Sequence, residues 1–249
     1  MNKLLSLLVF VSVVMLTACG SQRSVTKNLS DNEKSILKTY RKNFRGKDDA
    51  YRVLVITNKG NMVLRLYNET PLHRDNFVNK VDSGFYNGLL FHRIIKDFMI
   101  QGGDPKSKAA KDGDVLGDGE AKGGRIPAEI RTDSGIYHQR GTLAAARDNN
   151  PEKASSNCQF YISQGKVYTE ADLKQYIERR GLKLNDDQIK LYTTKGGIPH
   201  LDNNYTVFGI TEEGIDVLDQ LQQVKTGKSD RPETDEPMLL FVISKLKKK

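Results

Sequence analysis

Residues 91–104 read Phe91-His92-Arg93-Ile94-Ile95-Lys96-Asp97-Phe98-Met99-Ile100-Gln101-Gly102-Gly103-Asp104. The spacing fits extended backbone. Side chains on a strand alternate between faces, so Arg93 and Ile95 oppose Ile94, and Met99 can share a face with Gln101. Outward from this stretch, Tyr51–Thr57 and Asn61–Tyr67 are β-rich runs around an Asn58-Lys59-Gly60-Asn61 turn signal, which predicts a hairpin. Met238–Ser244 reads as a closing strand. Thr70-Pro71 starts a helix, with threonine as cap and proline in the first turn; Phe77, Val78 and Val81 form its apolar face and Gly84 stands past its end. Gly214–Val224 reads as a second helix, with Ile215, Leu218 and Leu221 or Val217, Leu221 and Val224 on one side. Many short strands with two helices predict a mainly β architecture that closes on itself, because closure removes exposed edges.

The 249-residue chain is 37% hydrophobic and 28% charged, which excludes a polytopic membrane protein, and its two cysteines exclude a disulfide scaffold. The formal charge of +8 is unevenly placed: residues 51–244 hold 26 basic and 27 acidic side chains, a net −1. The excess sits in residues 20–50 and in the terminal Lys245-Leu246-Lys247-Lys248-Lys249. A nucleic-acid groove needs cations concentrated on the folded body, so no nucleic-acid partner is expected. His73, His92, His138 and His200 lack metal-ligand spacing, and His92 is expected to pack or hydrogen-bond within its strand. Cys158 reads as a small packing residue rather than a nucleophile.

At the N-terminus, Leu4 to Ala18 is an uncharged run after Lys3, too short for a membrane span of ~20 residues but suited to a secretory signal. It ends in Leu16-Thr17-Ala18-Cys19-Gly20, which resembles the bacterial lipoprotein signal. The resemblance implies cleavage before Cys19 and lipid on that cysteine, placing the protein in the cell envelope, anchored to a bacterial membrane. An ordinary signal peptide with a chance cysteine and an uncleaved anchor are the alternatives. Residues 1–18 are then the signal peptide, 19–50 a lipidated cysteine with a basic tether, 51–246 the main folded domain and 247–249 a lysine tail. Part of the tether can be helical, with Ser30 or Asp31 as cap and Ile36, Leu37 and Tyr40 following. Its charge can also favour anionic lipid head groups.

Beyond the opening stretch, Gly141–Arg147 leads to Ser156-Asn157-Cys158-Gln159-Phe160-Tyr161-Ile162, and a further segment runs from His200-Leu201-Asp202 through Tyr205 to Gly209. Together and in this order these segments resemble the cyclophilins, the peptidyl-prolyl cis–trans isomerases. The resemblance spans roughly residues 51–246 apart from insertions. It implies an eight-stranded antiparallel barrel capped by two helices, and an enzyme that needs no cofactor and no metal. Arg93 would be the catalytic donor to the twisted X–Pro bond, and Gln101 would bind substrate backbone and help position Arg93. Phe98, Met99, Tyr161 and Leu201 would form the proline pocket. Gln159 and the Ala146 backbone would hold the peptide alongside, with Arg147 and Tyr205 also in the substrate site. The expected partners are proline-containing proteins that are unfolded or folding outside the cytoplasm, and the expected state is a monomer. A holdase that grips such segments with little catalysis is the rival reading.

Several positions depart from the family pattern. Tyr205 stands where many members have histidine, Tyr161 where phenylalanine is usual, and Arg147 where asparagine is frequent. The added hydroxyls need partners. His200 occupies a position where some members carry the tryptophan that binds cyclosporin, so weak cyclosporin sensitivity is expected. Residues 105–125 read as a solvated loop, since Asp112-Gly113-Asp114 and Gly117–Glu120 fall short of an EF-hand ligand pattern. Residues 168–199 read as a helical insertion. Thr169 caps the first helix, which carries Leu173, Tyr176 and Ile177, and Asn185 caps a second with Ile189 and Tyr192. These stripes either dock on the barrel or form a client-binding flap.

Overall fold

A computed structural model describes residues 25–246; the apolar leader, Cys19 and the final three lysines lie outside the described residues. Eight antiparallel strands close into a barrel in the order β1-β2-β7-β5-β6-β4-β3-β8. They are β1 Arg52–Thr57, β2 Gly60–Leu66, β3 Leu89–Ile95, β4 Met99–Gly102, β5 Thr142–Ala145, β6 Phe160–Ser163, β7 Val207–Glu213 and β8 Pro237–Ser244. The predicted hairpin is β1–β2, with Thr57 paired to Gly60.

Two neighbouring cross-strand rows organise the molecule. Ile94, Ile100, Ile162 and Leu143 are register partners across β3, β4, β6 and β5, and all four enter the buried core. One residue along, Arg93, Gln101, Tyr161 and Ala144 form the adjacent row. The two-residue strand period places that row on the opposite, outward side of the sheet. The core row thus fixes the geometry of the candidate site.

The core also takes the apolar faces of helices α2 (Pro71–Asp82) and α5 (Ile215–Leu221), through Phe77, Val78 and Val81 from one and Val217, Leu218 and Leu221 from the other. Phe77 meets Phe160 and Phe208 edge-on, each at 5.4 Å between ring centroids. Pro71 occupies the first turn of α2 as expected, but Thr70 makes no side-chain cap. Glu129 supplies the cap from elsewhere in the chain: its carboxylate accepts from Leu72 N at 3.1 Å and His73 N at 2.9 Å, and meets His73 Nδ1 at 2.7 Å. A carboxylate accepts two main-chain donors and suits the positive end of a helix better than a hydroxyl does.

Gly103 shows why a second glycine stands near the end of the opening stretch. At φ +96° it packs so closely on the segment leading into β6 that a Cβ there would lie 2.2 Å from the Cys158 carbonyl oxygen.

Helix α1 (Asp31–Asn43) belongs to the folded body rather than to a tether. A full capping box between Ser30 and Glu33 starts it. Leu37 and the following Phe44 are buried against Leu54, Ile56, Val63, Phe241 and Ile243 on the outside of β1, β2 and β8. Beneath them Arg52, 1% exposed, is held by Asp48 and Glu212.

The insertion forms α3 (Glu170–Arg180) and α4 (Asp186–Thr194). Thr169 caps the first by accepting from Asp172 N, and Asn185 opens the second in a capping box with Gln188. Their apolar stripes dock inward: Leu173 and Tyr192 are buried with Tyr137 and Tyr168.

Candidate active site

The outward row opens onto a cavity of about 220 Å³, lined by Arg93, Phe98, Met99, Gln101, Ala146, Arg147, Tyr161, Leu201 and Tyr205. Of the residues expected to act on substrate, Gln159 alone does not line it. Its base is apolar: Met99, Tyr161 and Leu201 are all buried, and Phe98 is half-buried beside them.

Arg93 stands at the polar side of this cup, its side chain 41% exposed. Its Nε donates to Asp230 Oδ2 at 3.2 Å. Asp230 arrives on a tight turn in which Ser229 and Asp230 both adopt left-handed backbone, φ 60° and 58°. Such a conformation is costly for non-glycine residues and is held by its surroundings. Binding through Nε leaves the two terminal guanidinium nitrogens for the cavity. Sequence reading missed Asp230, which lies 137 residues away in a loop without periodicity.

Gln101 faces Arg93 across the β3–β4 ladder, but its Nε2 donates to Gln159 Oε1 at 3.0 Å. Gln159 in turn donates to the carbonyls of Gly117 at 3.0 Å and Gly119 at 2.8 Å. Both ends of its amide are therefore engaged, and it positions Gln101 rather than gripping a peptide. The cause is the 105–125 loop, which folds back over β6. The buried Asp104 carboxylate draws in the main-chain N–H groups of Gly117 and Gly119. Among the described residues no group of three or more His, Cys, Asp or Glu could hold a metal.

Ala146 lines the cup with its N–H already paired, which leaves the second lone pair of its carbonyl for a peptide. Its N–H donates to Gln159 O at 3.0 Å and its carbonyl accepts from Ser156 N at 2.8 Å, because strand-like pairing continues past the end of β5. Arg147 closes the rim. Its Nε donates to Asn204 O at 2.8 Å, and its guanidinium lies 4.7 Å from the Tyr205 ring centroid.

The hydroxyl of Tyr161 finds its partner in His138, 2.9 Å from Nε2. The other ring nitrogen, Nδ1, faces Asp202 Oδ1 at 3.0 Å. The second Asp202 oxygen accepts from Gln188 Nε2 at 2.7 Å and the Tyr192 hydroxyl at 2.6 Å, both on α4. With Asp202 accepting from Nδ1–H, Nε2 is the acceptor for Tyr161. Burial raises the Tyr161 and Tyr192 hydroxyls far above ordinary tyrosine, so both remain protonated donors. A second tie runs from α3: the Tyr176 hydroxyl lies 2.5 Å from His200 Nδ1, and the His200 ring stacks on Phe98 at 5.9 Å. Burial pushes the His200 pKa down to about 4, so this ring is neutral at physiological pH. Two aromatic walls of the cup are thus fastened to the insertion.

His92 is buried within β3 and Cys158 is buried with its thiol pKa raised by burial, as their packing roles imply.

The model of the family described as cyclophilin type peptidyl-prolyl cis-trans isomerase/CLD matches residues 52–241. A Staphylococcus haemolyticus protein that bears the name of a peptidyl-prolyl cis-trans isomerase is 32% identical over 189 residues, covering 76% of this chain and 88% of its own. A Staphylococcus aureus (strain USA300) protein of the same name is 33% identical over 182 residues, covering 73% and 85%. Among solved structures, a Cryptosporidium parvum cyclophilin type peptidyl-prolyl cis-trans isomerase superposes with a TM-score of 0.54 at 24% identity, covering 77% of this chain and 98% of that one. That structure likeness supports the barrel fold.

Proposed function

Because the chain belongs to the cyclophilin-type peptidyl-prolyl cis–trans isomerases and is such an enzyme, we propose that it acts on proline-containing segments of proteins folding outside the cytoplasm, held to a membrane by lipid on Cys19. The observation that carries the catalytic part is the single outward row that sets the Arg93 guanidinium beside a cup floored by Met99, Tyr161 and Leu201.

The uncatalysed barrier to amide rotation is ~18–20 kcal/mol, because conjugation gives the C–N bond partial double-bond character. Twisting the bond removes that conjugation and returns a lone pair to the prolyl nitrogen. The apolar cup holds the pyrrolidine ring while the rest of the peptide turns. Arg93, always charged, donates to the nitrogen only as it gains basicity, so the bond stabilises the twisted state more than either planar one. Asp230 fixes the guanidinium beforehand, and Gln101, held by Gln159, offers its amide to the substrate backbone. No covalent step is required.

The anchor is supported by the Leu16–Gly20 sequence and by the apolar run before it. Several acyl chains make attachment stable, at ~0.8 kcal/mol per buried CH₂.

Two measurements test the reading. The protein should accelerate both a short X–Pro peptide and the slow refolding phase of a proline-limited protein; tight binding without acceleration would leave only the holdase. Mass spectrometry of the membrane-extracted protein should find lipid on an N-terminal Cys19, and an unmodified Cys19 would remove the anchor.

A further inference from the structure

A second cavity adjoins the first. Strand β3 carries a bulge: Phe91 pairs with Gly102 and Arg93 with Gln101, which leaves His92 as the extra residue. A bulge re-aims the residue it inserts. His92 lines a cavity of about 230 Å³ between residues 112–116 and 227–235. His92 is 2% exposed and neither ring nitrogen meets a protein group in hydrogen-bonding geometry; burial lowers its pKa, offset in part by the Asp104 charge and then by the Leu90 backbone.

We propose that this cavity receives the side chain of a lysine or arginine in the same client segment whose proline occupies the neighbouring cup. The proposal rests on the isomerase reading above and deepens it by naming a substrate preference.

Three features select that side chain. The lip is apolar, formed by Val115, 70% exposed, with Leu116 and Pro232, and suits the methylene stem of a long cation. The walls carry Asp112, Asp114, Glu233 and Asp235; Glu233 is paired with Lys225 at 2.9 Å and Asp235 with Arg231 at 3.3 Å, which leaves Asp112 and Asp114 against Lys228. Arg231 is already engaged in tying the loops together, donating to the carbonyls of Lys111 at 2.9 Å and Asp114 at 2.7 Å. At the base is an imidazole that burial keeps neutral, with a pKa of about 4, able to accept from a cation without repelling it. The volume is below the ~300–1,000 Å³ of small-molecule pockets and matches one side chain.

Neighbouring residues relate the two cavities at two points. His92 precedes Arg93 on β3, and Ser229 on the cavity wall precedes Asp230, the Arg93 partner. Because neighbouring residues of β3 face the two cavities, the basic residue is sought at the positions nearest the proline on either side.

The test uses short X–Pro peptides with lysine at each of the three positions before and after proline, and norleucine as the uncharged counterpart. The full-length enzyme is assayed by exchange NMR. In at least one register lysine should lower KM about 3- to 5-fold relative to norleucine, the range of a partly exposed ion pair, and the advantage should shrink with salt. In an Asp112→Asn/Asp114→Asn variant the lysine-to-norleucine ratio should collapse towards one, and a folded His92→Gln protein should show the same trend. A ratio near one at every position in the wild type, or a lysine preference undiminished in the double variant, overturns the proposal. If no peptide is isomerised, the isomerase reading itself fails. Titration of the lysine peptide against amide signals of residues 112–116 then decides the cavity on its own: charge-dependent shifts support it and their absence rejects it.

Discussion

Replacing Asp202 with asparagine tests whether the insertion holds the proline cup. The carboxylate accepts four hydrogen bonds, from His138 N at 2.8 Å, His138 Nδ1 at 3.0 Å, Gln188 Nε2 at 2.7 Å and the Tyr192 hydroxyl at 2.6 Å. Asparagine keeps one oxygen for His138 but turns an NH₂ towards two donors. The Tyr192 hydroxyl can rotate to accept. Gln188 cannot simply flip its amide, because Oε1 already takes the Asn185 N–H in the cap of α4. One charge-assisted bond is therefore lost and a buried donor is left unpaired, a cost of about 3 kcal/mol. For a domain of this size that lowers Tm by roughly 6–12 °C. Stability loss alone would not show that the network reaches the cup, so the decisive assay is a double-mutant cycle with Tyr161→Phe in chemical denaturation. The two side chains communicate through His138, and a coupling of about 1 kcal/mol is expected. Additivity within about 0.3–0.5 kcal/mol would refute the claim that α4 supports Tyr161.

Other expectations concern pH, the docked helix and an inhibitor. Burial lowers the pKa of His73, and of His92 and His200 to about 4 each, while the unfolded chain titrates near 6.5. Between about 6.5 and 4 the unfolded state binds more protons, so stability should fall steadily as pH drops through that window. Urea melts at pH 7, 6 and 5 check this, and a flat profile would contradict it. Leu37→Ala in α1 should cost about 2–5 kcal/mol and open residues 25–46 to protease, with kcat/KM unchanged, because that helix packs on the far side of β1 and β8. Cyclosporin should inhibit weakly if, as the family resemblance implies, His200 takes the place where some members carry a tryptophan; its ring is engaged by Phe98 and Tyr176, and a tight inhibition constant would contradict this.

How far the sequence discloses the molecule depends on the range of each interaction. Alternation along Arg93–Ile95 and Met99–Gln101 is local, and the register rows reproduce it: outward Arg93 and Gln101, inward Ile94 and Ile100. The caps at Thr169 and Asn185 span three residues and are equally readable. Groups that act across the chain leave no such pattern. Glu129 replaces Thr70 as the α2 cap from 56 and 57 residues away, and Gln159 is drawn from substrate to loop by Gly117 and Gly119. Asp230 becomes an Arg93 partner only through a strained turn. The Tyr161 hydroxyl announces that it needs a partner, but not that His138 supplies it. Helix α1 is partly legible: Ser30 or Asp31 as cap with Ile36, Leu37 and Tyr40 following suggests a helix, but the basic residues around them read as a tether and Phe44, its buried end, carries no signal of its own.

The central claim is that a charged guanidinium beside an apolar cup catalyses the rotation. The direct measurement is kcat/KM for a short X–Pro peptide with wild type, Arg93→Ala and Arg93→Lys, alongside peptide affinity and thermal stability. Arg93 is 41% exposed, so its loss should leave the fold and peptide binding largely intact. The account predicts a fall of about 10²-fold or more in Arg93→Ala, with little rescue by lysine, which lacks the planar fork. Activity within about 3-fold of wild type in a folded Arg93→Ala protein would contradict it.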